Sequence, residues 1–120
     1  MNDLRQEDIA VMADAVRKIG DGWTLLIVWA ACRGITRFDS FQRHLGVARN
    51  ILSNRLGRLV DEGILEKQPV HVGARRLEYR ITAKGEALRP VLDWIEDWGT
   101  TARNDPRRFE LDASDKLAAQ

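Results

Sequence analysis

The chain has 120 residues, 44% hydrophobic and 31% charged, with a net charge of +1, the profile of one ordinary globular domain and too little chain for two. No apolar run approaches bilayer-spanning length, and the acidic, polar start "MNDLRQEDIA" is unlike a signal peptide, so no membrane partner and a cytoplasmic location are expected. A single cysteine rules out an internal disulfide framework.

In chain order, residues 5–18 place Ile9, Met12, Ala13 and Val16 at spacings of three and four, which predicts an amphipathic helix. Asp21 is a candidate cap for the next helix, "WTLLIVWAACR", apolar nearly all round and so expected to be buried on most sides, with Gly34 as its stop. Asp39 followed by Gln42 has capping-box spacing for a short third helix ending near Leu45. Gly46 supplies a turn, and "ARNILSNRLGRLVDEG" follows as the second helix of a helix-turn-helix.

After Gly63 the period changes from helical to alternating. Leu77, Tyr79 and Ile81 alternate with Arg76, Glu78 and Arg80 as a half-buried strand, and "ILEKQPV" is its antiparallel partner, with Pro69 suiting an edge. The connection "HVGARR" carries a glycine for the turn, with two adjacent arginines expected at the tip. Thr82 is the expected cap of one long final helix bearing Leu88, Val91, Leu92, Ile95 and Trp98. Residues 105–120 form a polar tail with only Phe109, Leu111 and Leu117 to anchor it. The predicted fold is mainly α with a small β-hairpin: a winged helix-turn-helix over residues 1–104.

Charge is distributed unevenly along these elements. Residues 33–84 hold eleven basic and five acidic side chains, a net of +6, whereas residues 1–32 and 85–120 are net −2 and −3. A basic block between acidic flanks is a candidate footprint for a polyanion. On the fourth helix Leu56, Leu59 and Val60 fall within an arc of about −20 to +80 degrees from Leu52. Asn50, Asn54, Gly57 and Arg58 cluster on the far side, and no acid occurs before Asp61. Solvated helix faces usually mix acids with bases; arginine and asparagine are instead suited to guanine and adenine edges in the major groove. A basic solvated helix in a bundle would look similar, but the arginine-bearing hairpin that follows favours nucleic acid.

These segments carry a family resemblance. "GWTLLIVWAACRGITRFDSFQRHLG", "ARNILSNRLGRLVDEGILEK", "LEYRITAKGEALRPVL" and the tryptophan of "EDWG" are similar, in order, to the HxlR family of bacterial winged-helix transcriptional regulators. The resemblance implies a homodimer on an inverted repeat of double-stranded DNA, with recognition helices in major grooves and wings on flanking DNA. It also implies a dimer interface built by the first and last long helices, residues 5–18 and 83–103. Within those helices Ile9, Met12, Val16, Val91, Trp94, Ile95 and Trp98 are the candidate interface residues. Three features depart from the usual family pattern. Gly22 stands where a lysine or arginine is common, residues 1–31 lack the cysteine through which some members sense oxidants, and the wing "HVGARR" lacks a proline.

Arg49, Asn50, Ser53 and Asn54, early in the recognition helix, are the expected base readers. Arg58, Arg75 and Arg76 are expected on phosphates or in a minor groove, and Arg37 and Arg43 on the backbone. Trp23 and Trp29 are core residues or the lining of a pocket for a small planar effector. Cys32 reads as a small buried hydrophobe, with redox sensing as the alternative suggested by neighbouring Arg33. His44 and His71 are too far apart for a metal site, no cofactor is indicated, and no nucleophile stands beside a base, so an enzyme is not expected. A winged helix turned protein-interaction module is the competing class, and acids or apolar residues in place of the helix and wing arginines would mark it.

Overall fold

The computed structural model describes residues 3–105. Its elements run α1 (Gln6–Ile19), α2 (Gly22–Cys32), α3 (Phe38–Leu45), α4 (Arg49–Asp61), β1 (Leu65–Pro69), β2 (Leu77–Ile81), α5 (Ala83–Glu86) and α6 (Arg89–Asn104). The chain divides into two compact units, one running up to Ala87 and the other starting at Leu88. The first contains the helix-turn-helix and the hairpin, so the mainly α, winged architecture expected from the sequence is present. Among the described residues no helix is long and apolar enough to cross a membrane. The expected tail anchors Phe109, Leu111 and Leu117 lie outside the described residues.

α2 forms the centre of the first unit. Asp21 caps it, accepting from the Thr24 backbone N–H at 3.0 Å and from the Thr24 hydroxyl. Its all-round apolar sequence is matched by burial of Ile27, Val28, Ala30 and Ala31. Phe41 of α3 and the Leu52, Leu56 and Leu59 stripe of α4 close over it, together with Val47, Ile64 and Leu65. Full burial of side chains this large contributes about 1.5–3 kcal/mol each, so this cluster fixes the angle at which α4 is presented. α3 ends at Gly46, whose φ of 69° turns the chain into α4.

β1 and β2 pair antiparallel in the register Leu65↔Ile81 to Pro69↔Leu77. The far edge of β2 is also used, Tyr79 N–H donating to the Thr36 carbonyl at 2.7 Å, which ties the hairpin to the segment before α3. Thr82 then caps α5 through a bond from the Gly85 N–H at 3.1 Å. Gly85 is needed there because a Cβ would stand 2.5 Å from both the Ile64 carbonyl oxygen and the Ile81 Cδ1.

Three expectations are corrected. Asp39 does not cap α3: the cap position is Arg37, with no side-chain cap bond, and Asp39 sits one position inside the first turn. An acid there complements the positive helix end without capping it. The single long final helix is two helices, because Pro90 has no N–H to give the Glu86 carbonyl and its ring crowds that carbonyl. Thr82 therefore caps only the short α5. Finally, the strand alternation is partly inverted at β2, where Leu77 is 41% exposed and Glu78 only 7% exposed. Arg80 makes that possible by clamping Glu78 Oε1 from Nε at 2.6 Å and Nη2 at 2.5 Å. A buried carboxylate is tolerable when a cation and hydrogen bonds meet it.

Candidate nucleic-acid interface

The cap position before α4 is Ala48, whose side chain lacks an oxygen, so the first-turn N–H groups have no side-chain cap. That end of a helix favours anions such as phosphate. Arg49 follows immediately and lies over the Phe38 ring at 4.8 Å, a cation–π contact that holds its guanidinium near the start of α3. Asn50, Ser53 and Asn54 are exposed, as base-reading side chains must be. Of the acids at the far end of the helix, Glu62 pairs with Lys18 at 3.7 Å.

Arg58 is also exposed, but its Nη2 donates to the Arg17 carbonyl at 3.2 Å, at the end of α1. It braces α1 against α4 in this structure through one of its five N–H donors. Arg55, not singled out from the sequence, is half-buried and reaches both Asp21 and Asn54, at 3.2 and 2.9 Å. Its sequence signal was its place at the edge of the buried leucine arc, where a long cation must either snorkel or find a partner. The partner, Asp21, is 34 residues away, which no local pattern displays. Burial pushes the Asp21 carboxyl upward, but the bonds from Thr24 and Arg55 outweigh it and hold the group below its ordinary value.

The wing turns at His71–Ala74, where the Ala74 N–H donates to the His71 carbonyl at 3.0 Å and Gly73 takes the left-handed φ of 81°. Only glycine adopts that conformation readily. Val72 occupies the outermost position and is 99% exposed. Arg75 and Arg76 are thus not at the tip, as the sequence suggested, but on the returning arm; the Arg76 carbonyl accepts from the Val70 N–H at 3.0 Å. This position lets Arg76 meet Arg37 and Arg43, and the three arginines line one cleft of about 330 Å³ with Phe38, Asp39 and Ser40. Three guanidinium groups against one carboxylate leave the cleft with a net formal charge of +2. Arg75 is exposed beside it.

His44 and His71 donate from Nδ1 to the Ser40 and Val72 carbonyls at 2.8 and 3.0 Å, which are local bonds. Trp23 and Trp29 are half-buried, with Arg33 over the Trp29 ring at 5.2 Å. Cys32 is half-buried and not in a disulfide. On α1, Ile9, Met12 and Val16 are all exposed, and no α1 residue is buried. On α6, Val91, Trp94, Ile95 and Trp98 form an exposed stripe at spacings of three and four, Trp94 being 68% exposed.

A helix-turn-helix whose second helix is exposed on one face and carries no acid before its last residue, followed by an arginine-bearing hairpin, defines the winged helix-turn-helix class. Within that class, the chain belongs to the HxlR-like helix-turn-helix family, whose model matches residues 18–106. An HTH-type transcriptional regulator of Mycobacterium tuberculosis is 38% identical over 85 residues, which is 71% of this chain and 54% of the relative. The chain therefore spans about half the length of that curated relative. The regulator YvaP of Bacillus subtilis is 34% identical over 87 residues, 72% of this chain and 81% of its own. Among solved structures, PA1607, described as a candidate transcription factor, is 47% identical with a TM-score of 0.69, over 74% of this chain and 62% of its own.

Proposed function

We propose that this protein is a sequence-specific DNA-binding transcriptional regulator that acts as a homodimer on an inverted-repeat operator. The observation that carries the reading is the cleft in which Arg76 of the wing meets Arg37 and Arg43 beside α3. Basic residues from the wing and the helix-turn-helix converge there, as needed to grip one phosphate backbone while α4 lies in the adjoining major groove. Arg75 adds charge on the same arm of the wing. Phosphate contacts position the protein, and base contacts specify the site. Arg49, Asn50, Ser53 and Asn54 supply the second kind. The absence of acids before Asp61 favours this reading over a protein-interaction module.

The family relatives named as transcriptional regulators support the same role. The exposed apolar stripe of α1 and, separately, that of α6 support a second copy as partner, since an exposed apolar patch in water usually marks an interface. In this reading residues 1–104 bind DNA and assemble, 105–120 form a tail, and the protein works in the cytoplasm on the nucleoid. Trp23 and Trp29 are the proposed contacts for a small planar effector.

The test is selection from a random duplex pool with the purified chain. The expected product is an inverted repeat with half-site centres about one helical turn apart. Recovery of no shared motif would refute the reading.

A further inference from the structure

Arg55 is the arginine of α4 that is drawn in from the surface, and its guanidinium bridges two groups. Nε donates to Asp21 Oδ1 at 3.2 Å, and Nη1 donates to Asn54 Oδ1 at 2.9 Å. Asp21 is itself fixed as the cap of α2 by the Thr24 N–H and hydroxyl. A continuous chain of bonds therefore runs from the core helix through Arg55 to an exposed side chain of the recognition helix. Guanidinium offers donors only, so the Asn54 atom facing it must be the carbonyl oxygen, which removes the usual ambiguity between the two ends of an amide. The group left to face outward is the Nδ2 amide, a donor.

We propose that Arg55 is a specificity-determining positioning residue: by turning Oδ1 toward its guanidinium it presents the Nδ2 amide outward, so that Asn54 reads one base position as a donor. This rests on the DNA-binding reading above. A free asparagine pairs bidentately with adenine, accepting from N6 and donating to N7. With its oxygen held, Asn54 donates to whichever edge offers an acceptor, namely guanine N7 and O6, adenine N7 or thymine O4. It rejects cytosine, whose major-groove edge presents the N4 donor. The position read is then "not cytosine" rather than "adenine only".

The experiment selects duplexes with the wild-type chain and identifies the position whose preference disappears in Asn54→Ala. Affinities are then measured for all four bases there, for the wild type, Arg55→Lys and Arg55→Met. Lysine keeps a cation beside Asp21, guarding the fold, but lacks the fork that reaches Asn54. The wild type is expected to disfavour cytosine by about tenfold and to treat guanine and adenine alike. Both Arg55 variants are expected to lose that pattern at this position alone, the rest of the motif being retained. Three results would overturn the proposal: a wild-type position that accepts adenine only, an unchanged pattern in both variants, or a parallel loss at every position, which marks a purely structural role. A wild type that selects no motif overturns it together with the DNA-binding reading, and only that outcome touches both.

Discussion

Arg76→Ala removes one of the three guanidinium groups around the cleft shared with Arg37 and Arg43 and lowers its formal charge from +2 to +1. The side chain is exposed, and the backbone carbonyl that closes the wing still accepts from Val70, so the hairpin is expected to persist. Each phosphate contact contributes about 0.9 to the slope of log affinity against log salt. One contact per protomer, doubled in the dimer, makes the variant's slope shallower by about 1.8. Between about 50 and 200 mM salt the wild type should then lose roughly tenfold more affinity than the variant. Because phosphates carry no sequence information, the change should be equal on selected and random duplexes, and Arg75→Ala should add to it. Fluorescence anisotropy across a salt series measures both. An unchanged slope with binding intact would show that Arg76 does not reach phosphate.

Gly85→Ala places a methyl against the Ile64 carbonyl and the Ile81 side chain, so overpacking should cost about 1–3 kcal/mol and lower the melting midpoint by several degrees; a midpoint equal to wild type contradicts the close approach. Asp21 titrates below its ordinary value in the folded state, so its contribution is complete above about pH 4 and is lost as pH falls through the lower folded value. The gap between the melts of wild type and Asp21→Asn should therefore hold from pH 7 to about pH 4 and narrow as pH falls further, and a gap independent of pH would refute the linkage. Val91→Asp and Ile95→Asp put a charge on the exposed α6 stripe, half-exposed in a single chain. Sedimentation should show a dimer for wild type and a monomer for either variant, and a wild-type monomer of 13.7 kDa at micromolar concentration would contradict the assembly.

Much of the fold was legible because one-dimensional periodicity reports burial directly. Leu52, Leu56 and Leu59 repeat at helical spacing and are the core face of α4, and the uniformly apolar α2 is central. What escaped depended on interactions the pattern does not display. Glu78 replaces Leu77 inside the hairpin only because Arg80 meets its carboxylate. The final helix looked continuous because apolar periodicity carries through Pro90, whereas backbone bonding does not. Asp21 was legible as a cap, but not as the anchor of Arg55, since that bond spans 34 residues. The candidate readers were recognisable by residue type and helix position. The convergence of Arg76 with Arg37 and Arg43 required the tertiary fold, because the tie between Tyr79 and Thr36 anchors the wing beside α3.

In the proposed function α4 reads sequence rather than charge alone. The most direct test is competition binding at one fixed, near-physiological salt concentration, with the selected duplex set against a scrambled duplex of identical composition. Phosphate contacts are common to both, so the ratio isolates base reading by Arg49, Asn50, Ser53 and Asn54. The selected duplex is expected to bind at least about 10³-fold more tightly. Equal affinity for the two would contradict it.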